Sequence, residues 1–479
     1  MSWLLIVAAV LVALGFVLWF FRRALRRWGA RTVLEFRARL DRYKLTEAHR
    51  VKAALWADPI IQAAIEREAA ARGDRGGIER TVRKYLDEIV PAFNVLSYYK
   101  FAFNVSRLLT RLFYKVTVGH HDARALARIP KRDGVVYLIN HRSNMDYVVV
   151  TYLLAQVVSI SYAVGEWART WPLEYVFKSF GSYFVRRRFP DPLYHTVLER
   201  YVQLVTLNRV TQGIFPEGGL SRDGTLRPAK IGLLDYIVGT LRDPSFDGDL
   251  WLVPVAINYD RVLEDRTLTR ELVVGAPRRS KLMQLFGWVG FAVWNWIQLW
   301  SGGRQRYGRV ALQFAEPVSV RQWLAGEAPD VLDRPRLERL AVIQRLADLV
   351  MRRVGAVIPV TPVPFAAAAL LSFPSSVVPM DALWDRLAEL RDRLRDQNAS
   401  IVRSELTVTG AWERAWRTFR SRRWVHQEGA NLVILPNARP LLEYYANSIV
   451  HLLPDEARWH LTPAAGADES MPRLDRQAR

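Results

Sequence analysis

Residues 135–154 read VVYLINHRSNMDYVVVTYLL, and the order of textures in this stretch decides the fold. A short run rich in β-branched and aromatic residues gives way to a polar junction, and the junction to a longer apolar segment. Ser143 is a good N-cap there, and Asp146 falls three residues later, where a capping acid belongs. The strand pattern therefore passes directly into a helix starting near Ser143. The same short apolar texture recurs outward in GSYFVRR (181–187), GIFPEGG (213–219) and LWLVPVAINY (250–259), with helical patterns between. Such alternation predicts an α/β domain with a largely buried sheet over residues 116–330. Pro254, inside an apolar run, is expected at a sheet edge or strand end, where its missing N–H is harmless.

On either side the pattern is helical. Residues 32–115 carry apolar residues at three- and four-residue spacing, interrupted by ARGDRGG (71–77), and residues 331–460 supply further amphipathic helices. Residues 461–479 are polar and expected to be disordered. The stretch Met283 to Trp300, loaded with Trp288, Trp294, Trp296 and Trp300, fits two readings: a membrane-surface hairpin or helix, and an internal core helix.

The chain has 479 residues, half of them hydrophobic, and no cysteine. Disulfides, zinc–thiolate sites and a thiol nucleophile are thereby excluded. Scattered histidines suggest no metal site, and the absence of a G-x-S-x-G turn argues against a serine hydrolase. A net charge of +21 implies attraction to polyanions: nucleic acid, anionic lipid or phosphorylated small molecules. Trp3 to Phe21 is an unbroken apolar run with aromatic ends, long enough to cross a bilayer as a helix. No basic region precedes it and no small-residue cleavage site follows, so it reads as an anchor rather than a cleaved leader. Arg22, Arg23, Arg26, Arg27 and Arg31 complete an anchoring segment over 1–31 and, by the positive-inside rule, keep the body in the cytoplasm.

The polar junctions hold the chemistry. His141 and Asp146 lie five positions apart. Within one regular helix such side chains diverge, so a pairing requires the strand-to-helix junction itself. Asp146 is then either a helix cap or the acid that orients an imidazole, leaving its other nitrogen free to take a proton. Arg186, Arg187 and Arg188 end the second run, as a solvated basic edge or as a grip on phosphate. FPEGGLSRDG (215–224) presents Glu217, then Gly218 and Gly219, which let a backbone approach a ligand, then Arg222.

In this order NHRSNMD, GSYFVRRRF, FPEGGLSRDG and VPVAINY resemble the four blocks of the glycerolipid acyltransferases. Within that superfamily the chain looks most like the membrane-bound glycerol-3-phosphate acyltransferases. The points of likeness are the Arg186–Arg187 pair, EGG in the third block, VRKYLDEI upstream, and TPVPFAAAALL and YYANSIVHLL downstream. The resemblance covers roughly residues 80 to 455. It implies a central mixed sheet flanked by helices, and acyl transfer from acyl-CoA or acyl-acyl carrier protein to the sn-1 hydroxyl of glycerol-3-phosphate. No cofactor is needed beyond that co-substrate. It implies further that His141 is the general base and Asp146 its orienting acid, and that Arg186, Arg187 and Arg222, with Lys230, hold the acceptor phosphate. Glu217 would bind the acceptor, Gly218 and Gly219 would admit it, and Pro254 would shape the acyl side. The implied partners are the phosphorylated acceptor, the acyl carrier and membrane lipid, not nucleic acid; the implied location is the cell inner membrane.

Two departures stand out. Leu220 occupies a position where the family usually has arginine, which keeps a lysophosphatidate or other lysophospholipid acyltransferase as the alternative. The chain is also shorter than the full-length bacterial enzymes, with most of the usual N-terminal region replaced by the anchor. A membrane-tethered binding protein that has lost catalysis would suit the charge, but intact His141, Asp146, Glu217 and Gly218 argue against it.

Overall fold

The computed structural model describes residues 48–91, 103–119, 126, 128–130, 132–154, 161–165, 182–186, 189–271, 307–402 and 407–453. The expected anchor Trp3 to Phe21 with its basic block, Arg187, Arg188, Met283 to Trp300 and the 461–479 tail lie outside the described residues. Among the described residues no helix is long and apolar enough to cross a membrane. The strands, in chain order, are β1 Lys115–Val118, β2 Gly134–Ile139, β3 Ser161–Gly165, β4 Tyr183–Val185, β5 Gln212–Ile214, β6 Leu250–Tyr259, β7 Arg309–Phe314 and β8 Val318–Ser319; β9 Val377–Pro379, β10 Val425–Glu428 and β11 Asn431–Ile434 follow. Two compact units interleave along the chain: Met1–Ser106 with Thr151–Gln212, and Arg107–Val150 with Gly213–Arg479.

In the first unit the helices Pro59–Arg72 and Arg75–Ile89 pack against Pro192–Leu207. The sequence break at ARGDRGG is two residues wide. Gly73 takes a left-handed φ of 68° to end one helix, and the carboxylate of Asp74 accepts the N–H of Gly77 to start the next. Asp191 ties the helices together, capping its own helix at Leu193 N–H (2.9 Å) and accepting the hydroxyl of Tyr85 (2.5 Å). β3 and β4 run parallel in this unit.

The second unit is built on a mixed sheet in the order β1-β7-β6-β2-β5, with β8 also on β6. β1 runs parallel to β7, β7 antiparallel to β6, and β6 parallel to β2. β6 is the central strand, and nine of its ten residues are buried, which is why its sequence is nearly continuous in apolar residues. The helices Val320–Glu327 and Arg336–Ala356 pack on it. Pro254 is therefore not at an edge or strand end, as the sequence suggested, but inside β6. Its carbonyl accepts Ala315 N–H (3.0 Å), so its missing N–H would have faced the same side. There β6 changes partner from β8, opposite Trp251 and Leu252, to β7, opposite Val255 onward. The gap in pairing leaves no ladder bond for proline to break.

The C-terminal region adds the wholly buried helix Pro362–Leu371, surrounded by Met380–Asp396, Val408–Arg422 and Arg439–Ala446. It is not all helical, because β9, β10 and β11 form a three-stranded antiparallel sheet within it.

Candidate active site

The site grows from the C-terminal end of β2. Asn140 extends that strand with its side chain, donating to the carbonyl of Ile257 (3.0 Å) and accepting the N–H of Ile257 (2.7 Å). His141 thus leaves the sheet from a fixed point. The helix Met145–Leu154 begins four residues on, and its first turn turns the chain back on itself.

Asp146 is where the two sequence readings meet, and it makes the contacts of both. Its Oδ2 accepts the backbone N–H groups of Arg142 (2.7 Å) and Ser143 (2.9 Å), as a helix-capping acid does. The same oxygen lies 2.9 Å from Nδ1 of His141. Its Oδ1 accepts the hydroxyl of Tyr259, the last residue of β6, at 2.5 Å. An acid that receives this many donors while fully buried is held as an acceptor, and it orients the imidazole with Nδ1 as the donor. Nε2 has no partner among the described residues. The ring is only 2% exposed, tilted over Phe215 at 4.2 Å and edge-on to Tyr147 at 5.5 Å.

Two further acids brace this loop. Glu217 is buried, and its oxygens accept the N–H of His141 (2.7 Å) and of Arg227 (3.1 Å), tying the third sequence block to the first. Burial pushes its carboxyl up to about 7 against the pull of those two bonds. Glu264 accepts the hydroxyl of Ser143 (2.7 Å) and the N–H of Asn144 (3.2 Å) at the helix start, and burial raises it to about 7 as well. Gly218 has φ +67°, and a Cβ there would come within 2.8 Å of Cδ of Lys230, whose stem crosses the glycine. Ser221 N–H donates to the carbonyl of His141 (3.2 Å), which closes the glycine loop onto the histidine.

The other basic residues singled out in the sequence are differently placed. Arg222 is half exposed and paired with Glu271 (3.1 Å). Arg186 belongs to the first unit, where its guanidinium grips Glu88 with two nitrogens, one bond being 2.7 Å, and lies over the ring of Phe189 at 4.5 Å. Pro254 is buried in β6, five residues before Tyr259.

Several participants escaped the sequence reading. Tyr259 closes the fourth block, yet nothing in VPVAINY marks it as a partner of Asp146. Glu264 carries no local signal at all. Arg142 is buried, donates to the carbonyl of Gly224, and sits 4.9 Å from the ring of Tyr444, a residue some three hundred positions later.

Residues 121–258 match the Acyltransferase family, and residues 293–471 match the glycerol-3-phosphate acyltransferase C-terminal region. The chain is 27% identical to the glycerol-3-phosphate acyltransferase of Aeromonas hydrophila over 82% of this chain and 48% of that one. The figures for the Pseudoalteromonas atlantica protein of the same name are 27%, 84% and 49%. The chain thus spans about half the length of the curated relatives it matches. The crystal structure of the 1-acyl-sn-glycerophosphate acyltransferase from Thermotoga maritima aligns with a TM-score of 0.31 and 18% identity, over 66% of this chain and 98% of that one.

Proposed function

We propose that the chain transfers a fatty acyl group from acyl-CoA or acyl-acyl carrier protein to the sn-1 hydroxyl of glycerol-3-phosphate, giving lysophosphatidate. Nε2 of His141 takes the hydroxyl proton as the oxygen attacks the thioester carbonyl. The C–O bond forms, the C–S bond breaks, and the proton passes to the departing thiolate. No acyl-enzyme is needed. The observation that carries this reading is the imidazole held at 2.9 Å by an acid itself fixed by two backbone N–H groups and Tyr259. Glu217 supports the same reading by fixing the backbone of His141. Because the ring is only 2% exposed, entry of the acceptor requires side chains around it to move.

For the acceptor phosphate, Lys230 and Arg222 are the readiest cations. An exposed pair such as Arg222–Glu271 is worth at most about 1 kcal/mol and is easily exchanged for a ligand. Arg186, gripped by a buried Glu88, gives up far more to reach a phosphate. An N-terminal anchor in the cell inner membrane, with the body cytoplasmic, would keep catalyst, acyl chain and product in one phase.

The test is purified full-length protein in vesicles, offered glycerol-3-phosphate, lysophosphatidate or dihydroxyacetone phosphate, each with acyl-CoA and with acyl-acyl carrier protein. Glycerol-3-phosphate is expected to be acylated, and His141→Gln to lower kcat by about 10²–10⁴-fold with unchanged circular dichroism. Leu220 favours one second reading, and acylation of lysophosphatidate alone would establish it in place of the first.

A further inference from the structure

The second unit contains a cavity of about 540 Å³ that no residue of the proposed reaction lines, and its volume is that of a small-ligand site. Lys115 opens β1 at its wall, Arg309 opens β7, and Arg261 follows the end of β6. Arg414 and Arg417 line it from the helix Val408–Arg422. Five basic side chains therefore surround it against one carboxylate, Asp260, whose oxygens accept the N–H groups of Arg309 (2.8 Å) and Val363 (3.4 Å). The guanidinium of Arg261 is stacked 3.9 Å from the ring of Tyr307, with its Nε buried and without a hydrogen-bond partner. A concave surface with this excess of one sign concentrates counter-charge.

The sheet places this cavity on the edge that carries His141. β1 and β7 begin at that edge, and β6 and β2 end at it. β6 lies beside β2, roughly 5 Å away, and runs from Val255, opposite Ile139, on to Tyr259, a further rise of about 13 Å. A molecule that reached from the cavity to the imidazole would need a charged head and a long flexible arm.

We propose that this cavity binds the head of a small molecule bearing more than one phosphate and, resting on the acyl-transfer reading, that this head is the nucleotide end of acyl-CoA. Planar Arg261 on Tyr307 offers a stacking face, and the rim cations Lys115 and Arg417 pair with phosphate. The pantetheine arm then runs along the sheet edge toward His141.

The proposal is tested by direct titration of the full-length protein with an adenosine bisphosphate, coenzyme A, dephospho-coenzyme A and, as the uncharged control, adenosine. The bisphosphate is expected to bind, adenosine not, and affinity to fall as salt rises. The double variant Lys115→Ala/Arg417→Ala, confined to exposed positions, is expected to weaken bisphosphate and coenzyme A binding by tenfold or more; Arg261→Ala should do the same. Unchanged affinity in the folded double variant overturns the proposal. So does a loss limited to binding of vesicles rich in anionic phospholipid, with the nucleotide unaffected. Because binding is read without turnover, a protein that binds the bisphosphate here but transfers no acyl group would strike the reaction and spare the cavity.

Discussion

Asp146 accepts two backbone N–H groups and an imidazole from residues 141–143, and the hydroxyl of Tyr259, which ties the end of β6 to that loop. Tyr259→Phe removes one donor to a buried charge and is expected to cost about 2 kcal/mol of stability in chemical denaturation. It should lower kcat far less than His141→Gln, since the two backbone donors still hold the acid. Glu217 and Glu264 give a second residue-scale expectation. Each is raised to about 7 in the fold from an ordinary 4.5, so each binds its proton more tightly folded than unfolded. Their stabilising contribution is full below about pH 4.5 and fades as pH rises through about 7. Glu217→Gln and Glu264→Gln together are therefore expected to flatten the loss of stability between those limits, read as the pH dependence of the denaturation midpoint. The pairing of His141 with Asp146 was legible as one of two readings, because at a strand-to-helix junction an acid in the first helical turn can cap the helix or meet a side chain just ahead of it. Tyr259, the partner of Asp146, and Glu264, which braces Ser143 and Asn144 beside the pair, were not, because both arrive from more than a hundred residues away.

At the scale of elements, the glycine loop between Glu217 and Gly224 is shaped by what it touches. Gly224 has φ +90°, and a Cβ there would meet the carbonyl oxygen of Tyr444 at 1.9 Å. Gly224→Ala thus combines a left-handed backbone with a clash against main chain. It is expected to destabilise the fold by about 3 kcal/mol or more and to lower activity, by thermal unfolding and turnover respectively. The run around residue 254 shows why element type was easier to read than element place. LWLVPVAINY announces a buried strand, but only the ladder shows that the proline falls where β8 gives way to β7. The hairpin of β10 and β11 went unread for a related reason. It is largely exposed along β10, so its sequence lacks the apolar alternation that marks a half-buried strand, and Gly429 at φ 60° is its one clear turn signal.

For the molecule as a whole, the C-terminal region is a buttress of the loops around the candidate site. Tyr445 donates to Asp265 (2.7 Å) and accepts from Val262 N–H (2.9 Å), Ser448 accepts from Asn258 (3.1 Å), and Asn447 holds the carbonyl of Asp223 (2.9 Å). Arg422 pairs with Asp265 inside this packing, both side chains nearly fully buried. Asp265→Ala leaves an unpaired buried guanidinium and is expected to cost about 3–5 kcal/mol, with a matching loss of transferase activity, although neither residue touches His141. From sequence alone came the α/β class, the order of the four polar blocks and the possible pairing of His141 with Asp146, because these depend on local periodicity and on residues close in the chain. Tertiary structure alone decided that Glu217 serves the backbone of His141, that Arg186 answers to Glu88, and that a distant helix seals the glycine loop. Those are pairings across long loops, and closing a loop is settled by what the whole core can bury, not by the residues at its two ends.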